Sequence, residues 1–412
     1  MKWTSRLALC SAALGMALPA LAQTTLNALF MSQAAYSEAD VKAMTADFSK
    51  ANPAIKVNLE FVPYEALHDK IIAAKGAAGA GYDVVLFDVV WPAAFAKNKV
   101  LRDVTERIPA ADTDKVFAGA WSTVDYGGRR WGMPWIIDTK FLFYNKEILK
   151  KAGIAAPPRS WDEVISQSKI IKDKGLVKHP LVWSWSQSEA MVCDYTTLAL
   201  AYKGSFVDGE KSTFDSGPAL QAAKLMQQSL ASGLTNPNSR EYAEEDVRKV
   251  FSNGEAAFAL NWTYMYNQAN DPKESKVAGQ VGVVPAPGAA NGSAVAAVNG
   301  SMGLGITAGS KNPDQAWRYI QHMSSRAVQD KHAKLSLPIW KASYDDPAVT
   351  KGQEELIAAA KQSLVVMAGR PSTPRYTELS SVLQKRLHEA LLGKKGVDEA
   401  MKIAASDIVK LR

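Results

Sequence analysis

The sequence predicts an α/β protein built from two lobes. A leader of 22 residues, described below, leaves 390 of the 412 residues in the mature chain. A single hydrophobic core rarely grows beyond about 250–300 residues. Strand and helix patterns also alternate along the chain, which is typical of sheets covered by helices. The mature chain is therefore expected to divide into two cores.

The N-terminal segment has the three parts of a secretory signal peptide. Lys2 and Arg6 form a basic start, Leu7–Leu18 is apolar, and Ala20-Leu21-Ala22 is a small-residue cleavage pattern. The apolar run is shorter than the ~20 residues needed to span a membrane. Cys10 lies inside the run behind Leu9, a poor context for lipid attachment. Cleavage is predicted after Ala22, which makes residues 1–22 a signal peptide.

Charge and cysteine content exclude several classes of function. The formal charge of +7 becomes +5 without Lys2 and Arg6, and no dense basic cluster suggests nucleic-acid binding. Cys193 is the one cysteine left in the mature chain, so no intramolecular disulfide can form. The five histidines are scattered and lack the spacing of a metal motif. We therefore predict neither a metal site nor a cofactor.

The first part of the mature chain has a β-α-β-α-β pattern. Ser37 and Asp40 have the spacing of a capping box, and Val41, Met44 and Phe48 form the apolar stripe of the helix that follows. A continuous apolar run after Asp83 is typical of a strand buried on both faces. The predicted strands are Leu26–Phe30, Ile55–Phe61 and Tyr82–Phe87, and the predicted helices run from Ser37 to Asn52 and from Glu65 to Lys75.

The same alternation continues through the rest of the chain. Ser160 and Glu163 repeat the capping-box spacing at the start of a helix that is predicted to reach Lys174. Further strands are predicted at Leu181–Trp185, Ala256–Leu260 and Ser301–Ile306. Further helices are predicted at Ala219–Ser232, Ala243–Ser252, Pro313–Met323, Gln353–Ala368, Tyr376–Leu391 and Val397–Leu411.

Catalytic motifs are weak or incomplete. Ser166-Gln167-Ser168-Lys169 matches the S-x-x-K of serine β-lactamases, but the S-D-N and K-T-G elements of those enzymes do not occur. The glycine-rich run Gly300–Gly305 leads into a predicted strand, whereas a phosphate-binding loop would lead into a helix. We therefore expect a binding protein and not an enzyme.

Tryptophans beside polar residues recur at the ends of predicted strands. In open α/β sheets, ligands bind beyond the carboxyl ends of the strands. Sugars have apolar faces and polar rims, so aromatic rings with carboxylates and amides suit them. Core packing is the alternative role for any one of these rings. The tryptophans are Trp91, Trp135, Trp183, Trp185 and Trp262, and their polar neighbours are Asp88, Asp138, Gln187 and Glu189.

At these positions the chain resembles the carbohydrate-type extracellular solute-binding proteins, the maltose-binding protein family, in the form of its trehalose/maltose-binding branch. The resemblance rests on segments that occur in family order over nearly all of the mature chain. They are Asp83–Pro92, Gly132–Thr139, Phe143–Glu147, Ser160–Glu163, Phe251–Phe258, Val283–Gly288, Gly303–Ile306, Ser310–Pro313 and Arg370–Tyr376.

The resemblance implies a type II periplasmic-binding-protein fold with a ligand cleft between two α/β lobes. It implies an N-terminal lobe of residues 23–134 and 286–336 and a C-terminal lobe of residues 135–285 and 337–412. It further implies a periplasmic monomer that binds a mono- or disaccharide. The lobes would close on the sugar and deliver it to inner-membrane ABC permease subunits driven by a cytoplasmic ATPase.

Site residues follow from the same resemblance and from the strand ends. Asp88 and Trp91 match the branch pattern of the first lobe, Asp138 falls in the first crossover, and Arg370 matches an Arg-Pro pair. Either Trp262 or Tyr264 supplies a stacking ring. The full predicted ligand-binding set is Gln33, Tyr36, Asp88, Trp91, Asp138, Trp183, Trp185, Gln187, Glu189, Trp262, Tyr264, Asn299, Gly300 and Arg370.

Two alternative functions remain open from the sequence. A secreted glycoside hydrolase would need two carboxylates that flank the scissile bond, and Asp88 and Glu189 are the candidates for that pair. A binder of another polar solute, such as glycerol phosphate, would differ in its ligand alone. Ser380 occupies a position where maltodextrin binders place a stacking ring, so a maltodextrin ligand is not expected.

Overall fold

The structure, a computed structural model, describes residues 23–32, 35–76, 81–208, 211–290 and 295–411. The predicted signal peptide and Gln33 lie outside these residues. The described strands are β1 Thr24–Met31, β2 Ile55–Val62, β3 Val84–Asp88, β4 Asp125–Tyr126, β5 Arg129–Arg130, β6 Met133–Ile136, β7 Phe141–Asn145, β8 Leu181–Val182, β9 Val207–Asp208, β10 Lys211–Ser212, β11 Phe258–Asn261, β12 Val281–Pro285 and β13 Met302–Ile306.

Helices separate most of these strands. They are α1 Glu38–Ala51, α2 Tyr64–Gly76, α3 Pro92–Lys97, α4 Ala118–Trp121, α5 Lys146–Ala152, α6 Trp161–Asp173, α7 Glu189–Ala201, α8 Gly217–Ala231, α9 Glu244–Ser252, α10 Tyr264–Ala269, α11 Pro313–Ser324, α12 Arg326–Lys331, α13 Pro347–Thr350, α14 Glu354–Ser363, α15 Tyr376–Leu391 and α16 Val397–Val409. Short 3-10 turns occur at Thr105–Arg107, Ala110–Asp112, Pro237–Glu241 and Lys341–Asp345.

Two mixed sheets organise the chain. The first has the strand order β2-β1-β3-β13-β6, in which β1 pairs in parallel with β2 and β3, while β13 is antiparallel to β3 and β6. The second has the order β12-β7-β11-β8, in which β7 is antiparallel to both of its neighbours. These sheets and their helices form the two lobes, so the predicted α/β fold of two lobes is confirmed.

The chain passes between the sheets at several points. Strand β6 ends in the first sheet at Ile136, and β7 begins in the second sheet at Phe141. The predicted division between residues 134 and 135 therefore falls inside β6. Strand β12 of the second sheet is followed by β13 of the first, and an isolated bridge joins Ile137 to Leu337. These crossovers place residues 137–140 between the lobes.

Capping and burial explain why the first lobe folds as its sequence predicts. The Ser37 hydroxyl accepts from the Asp40 amide, and the Asp40 carboxylate accepts from the Ser37 amide, so the capping box is present. Val41, Met44 and Phe48 are buried. All five residues of β3 are buried, as a strand covered on both faces requires.

Three local predictions differ from the structure. The strand predicted at Leu181–Trp185 ends at Val182, because the Trp185 amide donates to the Ser239 carbonyl at 2.9 Å and leaves the sheet. The helix predicted to reach Ala368 ends at Ser363, since the Ala368 amide pairs with the Ala297 carbonyl. Helix α7 was not predicted at all, because it is buried on nearly every side and has no amphipathic period.

Hydrophobic packing holds each lobe. One cluster of buried residues covers both faces of the first sheet and continues onto one face of the second, while another fills the opposite face of the second sheet beneath α6, α7, α8, α15 and α16. No helix among the described residues combines the length and apolar character needed to cross a bilayer.

A buried ion pair anchors the second lobe behind the crossover. The Lys140 ammonium lies 2.5 Å from the Asp194 carboxylate on α7 and 3.0 Å from the Ser184 hydroxyl. Lys140 and Asp194 have no exposed side-chain area. Burial raises the pKa of Asp194 to about 6, and the Lys140 charge opposes that shift. A charge buried here depends on its partner.

We predict that Asp194→Asn destabilises the protein by about 3–5 kcal/mol, because it leaves the buried Lys140 charge with only the weaker pair to Glu244 at 3.8 Å. The double variant Lys140→Met/Asp194→Leu should recover most of that loss. Urea unfolding measures both. Glu38→Gln, which removes an exposed pair with Lys42, is the control and should change stability by less than about 1 kcal/mol. Equal losses in the single and double variants would contradict the argument.

Candidate functional site

A cavity of about 620 Å³ lies between the two sheets. Its walls come from the segments that follow β3 and β11, from the crossover after β6, and from the first turns of α7, α9 and α15. Ends of strands and starts of helices meet here, and both carry unpaired backbone groups that can face a ligand. We call this cavity the cleft, and its volume is within the range of small-molecule sites.

The Arg370 guanidinium connects the two lobes at the cleft. Its Nη2 lies 3.2 Å from the Asp88 carboxylate, which ends β3, and its Nη1 lies 2.5 Å from the Glu189 carboxylate, which begins α7. Nη2 also donates to the Asn299 carbonyl at 3.3 Å. The Arg370 side chain is 1% exposed. A single buried cation thus holds one carboxylate from each lobe.

Both oxygens of Glu189 are occupied. Oε1 accepts from Arg370 and from the Tyr376 hydroxyl, and Oε2 accepts from the Ser380 hydroxyl. Tyr376 and Ser380 lie on α15, so these bonds join two helices of the second lobe. The carboxylate therefore orients Arg370 and Tyr376 and has little capacity left for a ligand.

Asp88 is held in a similar way from the first lobe. Its Oδ1 accepts from the Val90 amide at 3.1 Å and its Oδ2 from the Tyr64 hydroxyl at 3.2 Å. Burial raises the pKa of Asp88, and the neighbouring Arg370 charge opposes that shift. Asp88 is thus a buried carboxylate whose ionised form depends on Arg370.

Asp138 links the crossover to the second lobe. Its Oδ1 accepts from the Thr263 hydroxyl at 2.5 Å, the Thr263 amide at 3.2 Å and the Thr139 amide at 2.9 Å. Its carbonyl accepts from the Gly300 amide. Burial raises the pKa of Asp138 to about 7, although the Thr263 donors act in the opposite direction. Asp138 lines the cleft while it fastens the strand connection.

Trp262 provides a half-buried aromatic surface in the cleft. Its indole N–H donates to the Glu244 carboxylate at 3.1 Å, and the Lys140 ammonium lies 5.0 Å from its ring centroid. Gly300 packs against the ring so closely that a Cβ there would lie 2.3 Å from a ring carbon. The ring position therefore depends on a glycine at residue 300. Tyr264 also lines the cleft but is buried.

Trp91 belongs to an aromatic group of the first lobe. Its ring stacks on Tyr64 at a centroid distance of 5.8 Å and meets the edge of His68 at 5.2 Å. Trp91 is 6% exposed. Neighbouring rings thus cover much of its surface, and Tyr64 presents more of this group to the cleft.

The structure brings together most of the predicted site residues, but not all of them. Tyr36 packs on Trp135 at 4.7 Å in the first core, and Trp183 stacks on Trp185 at 4.9 Å in the second. Asn299 is buried beneath the cleft, where its amide donates to the Gly119 carbonyl. The predicted residues that line the cleft are Asp88, Trp91, Asp138, Gln187, Glu189, Trp262, Tyr264, Gly300 and Arg370.

Other lining residues were not predicted from the sequence. Tyr64 and His68 lie on α2, whose place in the cleft follows from tertiary packing and not from a strand end. Glu244 and Glu245 begin α9, and an acidic first turn is an ordinary helix signal. Tyr376 ends the segment Arg370–Tyr376 that carries the family resemblance. That resemblance is the one feature of the sequence that points to Tyr376 as a site residue.

The cleft contains neither an activated thiol nor a metal-binding cluster among the described residues. Cys193 lines the cleft, but it is buried and burial raises the pKa of its thiol, so the thiolate is disfavoured. The described residues contain no group of histidine, cysteine and carboxylate side chains that could hold a metal ion. The site offers hydrogen-bonding and stacking groups instead.

We predict that Asp138 contributes to stability in a pH-dependent way. Its folded-state pKa is raised from 3.8 to about 7, so the folded form binds the proton more tightly than the unfolded form. This contribution is present at low pH and is lost as pH rises from about 4 to about 7. The melting temperature of Asp138→Asn relative to the wild type should therefore rise across that window. The exposed Asp162→Asn is the control, and an opposite trend would contradict the assignment.

Comparison with known proteins gives the family. The model of the bacterial extracellular solute-binding protein family matches residues 32–330. A probable ABC transporter-binding protein of Deinococcus radiodurans is 28% identical over 349 residues, which cover 82% of this chain and 81% of the relative. A putative binding protein of Brucella abortus is 24% identical over 368 residues, covering 87% of this chain and 86% of the relative.

Solved structures agree with that match. The maltose-bound MalE3 of T. maritima superposes with a TM-score of 0.85 at 29% identity, covering 94% of this chain and 100% of that one. A Thermotoga lettingae ABC transporter solute-binding protein with bound α-D-tagatose has a TM-score of 0.84 at 25% identity, covering 94% and 99%. The family match extends over most of the chain, and the two-lobed fold is shared with these structures. The chain belongs to the bacterial extracellular solute-binding protein family.

Proposed function

We propose that the protein binds a small carbohydrate, a mono- or disaccharide of the trehalose or maltose type, in the cleft and delivers it to an ABC permease. The observation that carries the proposal is the Arg370 bridge between carboxylates of opposite lobes, beside the Trp262 ring. Proteins of similar sequence and fold have been solved with maltose and with tagatose. The name of the Deinococcus relative supports the link to an ABC transporter.

Sugar chemistry suits the groups that line the cleft. The apolar face of a ring can stack on Trp262, while hydroxyls donate to carboxylates and accept from N–H and O–H groups. Gln187 is exposed at the start of α7 and is free to turn toward a ligand. Within the predicted set, we propose Asp88, Trp262, Asp138, Gln187 and Arg370 as ligand contacts and Glu189 as a residue that positions Arg370.

Closure of the lobes would couple binding to delivery. A ligand that contacts Asp88 on one side and Trp262 on the other makes both contacts in the closed form alone, so it shifts the population toward that form. We propose one lobe of residues 23–134 with 286–336 and another of residues 135–285 with 337–412. The first boundary is moved from residue 134 to Ile136, where β6 ends. The closed monomer would then dock on membrane permease subunits driven by a cytoplasmic ATPase.

Binding without hydrolysis is the favoured mode. Asp88 and Glu189, the one carboxylate pair considered for a hydrolase, accept from two nitrogens of the same guanidinium. A glycosidase needs one carboxylic acid that gives its proton to the leaving group and a second carboxylate free to act as nucleophile or base. Arg370 opposes protonation of Asp88 and occupies one oxygen of Glu189, and the family is one of binding proteins. Glycerol phosphate is disfavoured, because both terminal nitrogens of Arg370 already bind carboxylates.

Ligand binding is tested by a thermal-shift screen of trehalose, maltose, glucose, tagatose and ribitol, followed by calorimetric titration. We expect at least one to bind, and Trp262→Ala to weaken it by about 10-fold or more through loss of the stacking surface. Trp131→Ala, at a half-buried tryptophan that does not line the cleft, is the matched control and should bind like the wild type. Circular dichroism checks folding, and chromatography should recover the bound sugar unchanged. Normal affinity in a folded Trp262→Ala would refute the site, and released monosaccharide would refute binding without chemistry.

Export is proposed from the N-terminal pattern, with the mature protein in the periplasm. Expression of the full chain in a Gram-negative host should yield a periplasmic protein that begins at Gln23, because the predicted cleavage follows Ala22. Intact-mass spectrometry of the periplasmic fraction measures this. A mature chain that starts with an acylated Cys10, or an uncleaved chain in the cytosol, would contradict the proposal.

A further inference from the structure

Carboxylates dominate the charge of the cleft. The chain as a whole has a formal charge of +7. Among the described residues that line the cleft, however, the acidic side chains number seven and Arg370 is the one lysine or arginine. Burial holds the pKa of Asp138 near 7, so that carboxyl is partly neutral at physiological pH. The acidic residues are Glu65, Asp69, Asp88, Asp138, Glu189, Glu244 and Glu245.

Among the described residues, the arginine and lysine side chains near the cleft are already paired. Arg370 binds Asp88 and Glu189 through its two terminal nitrogens, which leaves this trio with a net negative charge. Arg248 lies 3.0 Å from Glu245, and Lys140 lies 2.5 Å from Asp194 while remaining 3.8 Å from Glu244. The cleft therefore keeps uncompensated negative charge after each nearby cation is assigned to its partner.

The distribution of this charge favours a cationic group in the ligand. Glu244 is 25% exposed and lies against the Trp262 indole, so a carboxylate and an aromatic ring adjoin in one wall. A ligand cation gains from both kinds of group. Glu65 and Asp69 are exposed at the α2 side, where they would attract a cation before it enters.

A separate observation indicates where the ligand presents a hydroxyl. The Nε–H of Arg370 is buried and has no acceptor among the described residues, although the side chain lines the cleft. A buried donor of this kind is normally satisfied by an oxygen, either of water or of a ligand. A solute that combines a hydroxyl oxygen with a positive charge therefore fits the groups that line the cleft.

We infer that the cleft selects by charge, and that it prefers an amine-bearing sugar or polyol to the neutral parent and rejects the phosphorylated form. This inference rests on the proposed function and specifies its ligand class. An anion would have to lose its hydration beside carboxylates that no free cation balances, which is a strong means of exclusion. A protonated amine would exchange its hydrogen bonds to water for hydrogen bonds to carboxylates that the two lobes hold in place.

The experiment compares ligands that share one skeleton. Titration calorimetry on the purified mature protein uses glucose, glucosamine and glucose 6-phosphate, and trehalose, its 2-amino derivative and trehalose 6-phosphate. At low ionic strength, the amine should bind about 10-fold tighter than the parent and the phosphate about 10-fold weaker or worse. The preference for the amine should shrink as salt rises from about 20 to about 300 mM, whereas the affinity of the parent should hardly change.

A matched pair of variants assigns the effect to the cleft. Glu244→Gln keeps an oxygen that can accept from Trp262 and removes the charge, so it should reduce the ratio of amine affinity to parent affinity at least about 3-fold. Glu255→Gln removes an exposed carboxylate that does not line the cleft, and it should leave the preference intact. If Glu244→Gln binds neither the amine nor the parent, circular dichroism shows whether the variant has unfolded. Asp69→Asn, a less disruptive change at another acidic residue of the cleft, then serves as the second test and should also reduce the amine preference.

The outcomes separate the inference from the function beneath it. If the neutral parents bind and the amines bind no better, or the phosphates bind equally well, the charge selection is overturned and the proposed function stands. If no member of either series binds, the inference fails, and the proposed function fails with it when maltose, tagatose and ribitol do not bind either. An amine preference that survives high salt and the Glu244→Gln change would overturn the electrostatic explanation.

Discussion

One buried guanidinium determines the character of the cleft. Arg370 holds Asp88 from the first lobe and Glu189 from the second, and the loss of Arg370 would leave two largely buried carboxylates without their shared cation. Tyr376 and Ser380 complete the bonds to Glu189, so α15 is coupled to the same interaction. Separation of the lobes must hydrate these charges anew. The bridge therefore links the relative position of the lobes to what occupies the space beside it.

Local rules of sequence predicted most of the fold because most elements bury one face or begin with a recognisable cap. The Ser37 box and the buried strand β3 have the structure that their sequences indicate. Helix α7 shows the limit of this approach. Its residues are buried on nearly every side, so periodicity carries no signal, although it supplies Glu189 and Asp194 to the two buried ion pairs. An element surrounded by protein is specified by its neighbours and not by its own pattern.

Strand ends predicted where the site would form but not which way each side chain would point. Asp88, Asp138 and Trp262 follow strands and line the cleft. Trp183 and Trp185 follow β8 by the same logic, yet they stack on each other in the second core, because the chain leaves the sheet after Val182 and bonds to a loop near Ser239. The prediction failed where a strand was shorter than its apolar run. Contributions from α2 and α9 required the tertiary arrangement itself.

The concentration of carboxylates between the lobes has a cost that folding alone would avoid. Like charges in a partly enclosed space repel, and burial adds a desolvation cost that raises the pKa of Asp138 to about 7. In most of a protein, local conformational preference, packing and electrostatics all favour the same folded structure. Exceptions to this rule are found mainly at functional sites. The remaining surface of a chain with formal charge +7 could have supplied more cations, but Lys140 is bound to Asp194, and Arg248 balances Glu245 alone among the cleft acids. The negative charge is therefore left for whatever enters the cleft, and an incoming solute that compensates it also relieves the repulsion that opposes closure.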